Sequence, residues 1–341
     1  MYVESIKKPN NIFLESFLKK TTFLNFDEIL EIKIINKSII EKIMKDIPRQ
    51  NLNKKVFCVV NIKGGFGNQL FQYSFANHMK ELGATVKTSS KFYKNFENNS
   101  KITFREQIFD STFFDFSEIN EVEFNKLKLL KKLDESNKLK KLFNNWEINK
   151  FSYVKEKDLK NINDKHRYLI FDGYWQDVAF IKNQKEFLKS KLSKNNVLNE
   201  KFAKQKNENS ILLIVRRGDY LRMKEDLKIE YYEHCYEEIQ KISSNPQINI
   251  FTDDVNWVNS QKLFKQANKV YGPEESPEKV IRLFSKMLDH KHFFIGNSTF
   301  SFFAAFLSGD ESSKVFISDP WFKNRKSKNL VFDSWIKIPN I

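Results

Sequence analysis

The sequence predicts an α/β protein made of two doubly wound halves behind a helical N-terminal extension. Three observations carry this reading. The short β-branched run KVFCVVNI leads straight into a glycine-rich turn and then a segment with helical spacing, the opening unit of a parallel sheet. From Arg167 onward, further apolar runs each empty into a polar loop. At 341 residues the chain has the length of about two domains. A hydrophobic share of 40%, with 34 Phe, is enough for a packed core and excludes disorder for the whole.

Taken in chain order, residues 1–54 read as short helices rich in Lys, Ile and Phe that close in a polar stretch from Pro48 to Lys54. Lys55–Ile62 is the first buried strand. Gly64, Gly65 and Gly67 follow. Leu70, Phe71, Phe75 and Met79 then space a helix from Asn68 to Leu82, with Gly83 at its stop. The stretch from about Asn95 to Lys165 reads as helix-rich. Within it, Phe124–Trp146 forms one or two basic amphipathic helices on Leu127, Leu130, Leu133, Leu139, Leu142 and Phe143. The first half is expected over 55–165 and the second over 166–341. In the second, strands at Ile211–Val215, Ile248–Phe251 and His292–Ile295 run into the loops RRGDY, TDD and GNSTFS, and Val315–Ile317 adds another strand. Val255–Lys265 is expected as a helix. Loops at the C-terminal ends of strands in two such halves face a common cleft.

The 58 Lys and Arg against 43 Asp and Glu leave a net charge of +15. That balance admits nucleic acid, anionic lipid or a phosphate-bearing substrate. Much of the lysine lies in the 124–146 segment, which reads as a solvated helix face or as a contact with an anionic inner membrane leaflet. No nucleic-acid-binding pattern accompanies the charge, so no nucleic-acid partner is expected. Cys58 and Cys235 are too few for a disulfide scaffold or a cysteine zinc site, and the five histidines lack metal-ligand spacing. A reducing cytoplasm is the expected compartment. No signal-peptide core opens the chain, and Phe293–Leu307 is too short to span a bilayer.

Glycine is scarce, 9 in all against a usual share of roughly 7%, so three glycines within four positions point to a backbone need. The turn is not a dinucleotide fingerprint: Leu70 occupies the third glycine position, and Ser89 and Ser90 stand where an acidic residue belongs. It lacks the Lys-Ser/Thr pair of a phosphate loop as well. Gly65 and Gly67 would let the backbone approach a ligand, with the polar Asn68 at the helix start; an ordinary strand-to-helix turn is the plainer alternative. Arg216 and Arg217, at the mouth of a buried strand, suit diphosphate oxygens, with Asp219 orienting a guanidinium; a surface ion pair is the plainer alternative. Asn297, Ser298, Thr299, Phe300 and Ser301 open a helix whose N–H groups and hydroxyls form an anion site, or simply a cap. Asp253 and Asp254 would bind a base, a ribose or a metal, or cap the next helix. Together these loops read as a nucleotide-diphosphate site assembled without metal.

The segments GGFGNQLFQYSFANHMKELG, FDGYWQD, IVRRGDY, FTDDVNWV and FFIGNSTFSFFAAFL occur in the order found in the α-1,2-fucosyltransferases of glycosyltransferase family 11, and the chain resembles that family over about seven-tenths of its length. The resemblance implies a GT-B-type fold of two Rossmann-like domains, with the donor site mostly in the C-terminal one. It implies inverting transfer of L-fucose from GDP-fucose to an oligosaccharide or lipid-linked glycan acceptor, at O-2 of a galactoside, in surface glycan or O-antigen synthesis, with no metal or other cofactor. Under it, Arg216 and Arg217 would hold the donor β-phosphate and stabilise departing GDP, and Asp219 would hold the arginines. Thr299, Phe300 and Ser301 would line the diphosphate, Asp253 would meet guanine or ribose, and Asn68 would lie near the transferred sugar. The family's usual His before the arginines is Ile214 here, and its paired tryptophans are Phe302 and Phe303. No general base is identifiable in the sequence; Asp219 is a weak candidate. Two other readings stand beside this one: a same-fold transferase with another acceptor or donor such as GDP-mannose, and a basic nucleic-acid or membrane-binding protein with a vestigial nucleotide site.

Overall fold

The computed structural model describes residues 56–91, 106–135, 151–162, 166–274, 276–324 and 329–340. The extension expected over 1–54 and the stretch 136–146 of the basic helices lie outside the described residues. The chain forms β1 (Phe57–Asn61), α1 (Phe66–Glu81), β2 (Thr85–Ser89), α2 (Glu121–Glu135), β3 (Phe151–Val154) and β4 (Tyr168–Phe171). Three short helices follow: α3 (Val178–Ile181), α4 (Lys185–Leu192) and α5 (Asn196–Ala203). Then come β5 (Ser210–Val215), α6 (Gly218–Met223), α7 (Ile229–Ile242), β6 (Gln247–Thr252), α8 (Val255–Ser260), β7 (Lys269–Tyr271) and α9 (Pro277–Met287). The chain closes with β8 (His292–Phe294), α10 (Thr299–Ser308), β9 (Val315–Asp319) and β10 (Ile336–Pro339).

Two all-parallel sheets result, with strand orders β2-β1-β4-β3 and β10-β9-β8-β5-β6-β7. In the second sheet the chain leaves β5 towards β6 and β7, then returns to the other side of β5 with β8, β9 and β10. The order therefore reverses between β5 and β8, which is where open parallel sheets leave a crevice at their C-terminal ends. The first sheet reverses between β1 and β4. The α/β fold with parallel sheets read from the sequence is the fold observed.

Several expectations are corrected by the observed elements. A boundary at 165/166 falls ahead of β4, yet β4 pairs with β1 from Phe57↔Tyr168 to Val60↔Phe171, so it completes the first sheet. The segment expected to be helix-rich contains β3. The helix expected over Val255–Lys265 ends at Ser260, because Gln261 takes an extended conformation (φ −88°, ψ 130°) before a separate 3-10 turn at Lys262–Gln266.

β5 is buried throughout its six residues. Ile211, Leu213 and Val215 face one core with Tyr231, Tyr232 and Cys235 of α7; Leu212 and Ile214 face the other. That second core is continuous across both sheets, joining Val60 and Phe171 to Leu212 and Phe293. Helices α1 and α10 make the join. The Phe71 ring centroid lies 5.1 Å from that of Phe302 and 4.6 Å from that of Phe303, and Phe66 meets Phe284 at 5.1 Å. The positions at which the resemblance has paired tryptophans are thus filled here by two core rings. Flanked by both halves, α10 is buried from Ser301 to Leu307, which explains why its sequence is apolar on every side.

The helices cross at their N-termini. A Cβ on Gly67 would stand 2.5 Å from the carbonyl carbon and oxygen of Thr299 and 2.7 Å from the Phe300 nitrogen. Backbone cannot rotate out of the way, so the absent side chain sets how closely the halves approach. At Gly64 the requirement is different, a left-handed φ of +77°. A Cβ on Gly65 would meet nothing within 4 Å.

Gly67→Ala gains at most about 1 kcal/mol of helix propensity and incurs an overpacking cost of about 3 kcal/mol or more. The net cost of about 2 kcal/mol should lower the melting temperature by about 4–8 °C in thermal denaturation. Gly65→Ala should move it by no more than about 3 °C; equal shifts for the two would contradict this packing account.

Candidate active site

The loops after β5, β6 and β8 lie side by side at the reversal point of the second sheet. Arg216 and Arg217 follow β5 directly. Arg216 donates from Nη2 to Asp219 Oδ1 at 2.6 Å, and its Nη1 pairs with Asp253 Oδ2 at 2.7 Å. Arg217 donates its backbone N–H to Asp253 Oδ1 at 2.8 Å and its Nε to Asp254 Oδ2 at 3.2 Å; its Nη1 lies 3.7 Å from the buried Asp226 carboxylate. The Arg217 guanidinium stacks 4.0 Å over the Trp257 ring, and that of Arg216 sits 5.4 Å from the Tyr220 ring. Gly218 has a local reason: a Cβ there would stand 2.6 Å from Asp253 Oδ2, so only glycine lets that carboxylate reach both arginines.

The arginines are therefore held by four carboxylates, and their burial needs no anion to explain it. What the clamp supplies is fixed orientation. Asp219 holds Arg216 alone. Asp253, expected at guanine or ribose, has both oxygens engaged by the arginine pair. Asp254 combines two expectations: it caps α8 by accepting from Trp257 N at 3.0 Å, and it holds Arg217.

The β8–α10 loop divides more sharply. Ser298 occupies the N-cap of α10 but makes no side-chain capping bond, so the first-turn N–H groups of Thr299, Phe300 and Ser301 lack the usual cap. Thr299 donates its hydroxyl to Asn68 Oδ1 at 3.2 Å. The other side chains point elsewhere. Asn297 is fully buried, donates to the Glu225 carbonyl at 2.8 Å, and lends its own carbonyl to the Tyr220 hydroxyl at 2.9 Å. Ser301 is fully buried and bonds the carbonyls of Ile295 and Ser298. The Phe300 ring packs on Phe284 and Phe66. For Asn297 and Ser301 the side chains belong to the packing, and the backbone N–H groups, Phe300's among them, are what this loop offers an anion.

At the reversal point of the first sheet, Asn68 Oδ1 also accepts from Gln176 Nε2 at 2.8 Å, so one side-chain oxygen ties the glycine turn, the FDGYWQD loop and α10 together. Gly65 caps α1 without a side chain. Two uncapped helix N-termini, each equivalent to about half a positive charge, thus meet at Gly67 and Thr299. Beside them Asp172 accepts from Lys63 Nζ at 2.6 Å, from Asn61 Nδ2 at 3.2 Å and from the Tyr153 hydroxyl. Burial pushes the Asp172 carboxyl up, but the Lys63 charge and these hydrogen bonds outweigh it and hold it below its ordinary 3.8.

Sequence reading missed Asp172, Lys63, Tyr153, Asp226 and Trp257. FDGYWQD and FTDDVNWV contain Asp172 and Trp257, but nothing in the sequence pairs them with Lys63 or Arg217. Ile214, which stands where the resemblance has His, is buried and packs beneath the next loop: a Cβ on Gly296, itself at φ +54°, would lie 3.0 Å from Ile214 Cγ2. Among the described residues no helix is long and apolar enough to cross a membrane.

Because folding lowers the Asp172 pKa, its contribution to stability is complete above the unfolded value of 3.8 and is lost as pH falls through the folded value. The stability difference between wild type and Asp172→Asn should be constant from pH 7 to pH 5 and shrink at pH 3, read from urea midpoints. A difference that persists unchanged at pH 3 would contradict an ionised Asp172.

The sequence model of glycosyl transferase family 11 matches residues 57–338. The chain is 26% identical over 310 residues to an alpha-1,2-colitosyltransferase of Escherichia coli, covering 82% of this chain and 98% of that protein. It is 28% identical over 188 residues to the O-antigen biosynthesis glycosyltransferase WbnK of Escherichia coli, covering 51% and 62%. Among solved structures, a mutant of Arabidopsis thaliana FUT1 in complex with GDP aligns at 12% identity with a TM-score of 0.44, over 83% of this chain and 75% of that one. A glycosyl transferase family 9 protein of Veillonella parvula aligns at 10% identity with a TM-score of 0.37, over 86% and 89%.

Proposed function

The chain belongs to glycosyl transferase family 11, and from that premise we propose that it transfers L-fucose from GDP-fucose, with inversion, to O-2 of a galactoside in surface glycan or O-antigen synthesis. The observation that carries this reading is the carboxylate-clamped pair Arg216 and Arg217 at the β5/β8 reversal point, beside the uncapped N-terminus of α10. Breaking the bond from the sugar anomeric carbon to the β-phosphate oxygen leaves negative charge on GDP. Fixed guanidinium groups and helix N–H groups stabilise that charge where it develops, without reorganising in the step. The acceptor oxygen forms the new bond on the opposite face of the anomeric carbon and releases its proton to water. Oriented guanidinium and backbone N–H donors take the place at the leaving phosphate that a metal holds in other transferases, so the reaction is proposed to be metal-independent.

Asp219 is committed to Arg216 in this arrangement, which makes it a positioning residue for the phosphate side rather than a base for the acceptor. A colitose donor is the second reading, favoured by the match along nearly the whole of the E. coli colitosyltransferase. The apolar Ile214 beneath the β8–α10 turn removes a polar contact that the resemblance would place there, which leaves room for a changed donor preference.

A GDP-release assay with GDP-fucose and β-galactosides should show acceptor-dependent turnover that survives EDTA. Arg216→Ala with Arg217→Ala should lower it by about a hundredfold or more while α/β circular dichroism persists. Retained turnover in the double variant would remove the arginines from the mechanism, and loss of wild-type turnover in EDTA would remove the metal-free claim.

A further inference from the structure

The FDGYWQD loop has no role in the chemistry derived so far, yet it is tightly constrained. Gly173 closes against Glu156, where a Cβ would meet Cγ at 2.8 Å. The Glu156 carboxylate accepts the backbone N–H groups of Tyr174 at 2.7 Å and Trp175 at 2.9 Å. Trp175 takes a left-handed φ of 56°, a conformation that a bulky side chain adopts only when its surroundings enforce it. Its ring is buried and stacks on Phe75 with centroids 4.4 Å apart and planes 11° from parallel. Gln176 bonds Asn68, and Asp177 caps α3.

The consequence of turning Trp175 inward is that its neighbour Tyr174 is turned out, 36% exposed. The Tyr174 ring lies against the glycine turn, with Cε1 3.0 Å from where a Gly64 Cβ would be, and Lys63 Nζ is 5.7 Å from its centroid. Lys63 in turn holds Asp172, which remains partly exposed. An exposed aromatic face beside a carboxylate, an ammonium and open space at Gly65 is the chemistry that holds a sugar: the ring covers its C–H face and the charged groups meet its hydroxyls. The loop lies one shared oxygen, Asn68 Oδ1, from the N-terminus of α10.

We propose that Tyr174, with Lys63 and Asp172, forms the platform that binds the acceptor sugar and presents its hydroxyl to the donor. The proposal rests on the transferase reading above and adds to it the acceptor side of the site. Asp172 is a hydrogen-bond acceptor for the sugar here: Lys63, Asn61 and Tyr153 take three of the roughly four lone-pair sites of its carboxylate and leave one for a hydroxyl.

The test is steady-state kinetics with GDP-fucose and methyl β-D-galactoside on wild type, Tyr174→Ala, Tyr174→Phe and Asp172→Asn, with calorimetric binding of GDP-fucose and melting temperatures alongside. Tyr174→Ala should raise the acceptor KM about tenfold with kcat, the GDP-fucose Kd and the melting temperature close to wild type. Tyr174→Phe, which keeps the ring, should restore the KM to within about twofold. Asp172→Asn should raise the acceptor KM as well. An unchanged acceptor KM in folded Tyr174→Ala, or a weakened GDP-fucose Kd in its place, overturns the platform and leaves the transferase reading standing. Wild type that does not bind GDP-fucose, or binds it and releases GDP no faster with the galactoside, overturns the transferase reading and the platform with it.

Discussion

The contact on which the rest of the molecule depends is the one between Gly67 and the backbone of Thr299 and Phe300. It brings the N-termini of α1 and α10 together with no side chain between them, and behind it Phe66, Phe71, Phe284, Phe302 and Phe303 merge the cores of two separate sheets. Two helix N-termini at such close range repel through their dipoles. The structure offsets part of this with Asn68 Oδ1, which accepts from both sides of the junction. An anion bound there would offset more. The packing that unites the halves thus also prepares a place for negative charge.

The two reversal points divide the proposed labour. In the second sheet, carboxylates from β6 and from the α6 region hold two guanidinium groups in fixed planes beside α10, a site suited to a leaving diphosphate. In the first sheet, a strained and hydrogen-bonded loop holds an aromatic face outward beside the Lys63–Asp172 pair. Each arrangement is stiff before any ligand arrives, which is the condition under which fixed dipoles and charges accelerate a reaction.

Much of this was legible in the sequence. β1, β5, β6 and β8 are apolar runs ending in distinctive loops, and those runs are buried strands because sheets covered on both faces need them. The glycines were legible as a backbone requirement, but not the reason for each. Gly67 answers to Thr299, a residue far away in the chain, and no local pattern shows that. The same holds for Asn68, whose partner lies 231 residues on. β2, β3, β7 and β10 escaped because short strands, all four of them at sheet edges, carry little periodicity. Asn297 and Ser301 looked like ligand groups because polar residues at a helix start usually face outward. Here the Asn297 amide nitrogen and the Ser301 hydroxyl are consumed by buried carbonyls of the loop and its neighbours.

The central claim is that a sugar-nucleotide diphosphate sits between the clamped arginines and the junction of the two helix N-termini. A crystal structure with GDP bound tests it most directly. The account predicts the β-phosphate within hydrogen-bonding distance of the Arg216 or Arg217 guanidinium and of the Thr299 or Phe300 backbone N–H. A diphosphate bound instead against Lys63 and the FDGYWQD loop, with the arginines still engaged only by their carboxylates, would contradict it.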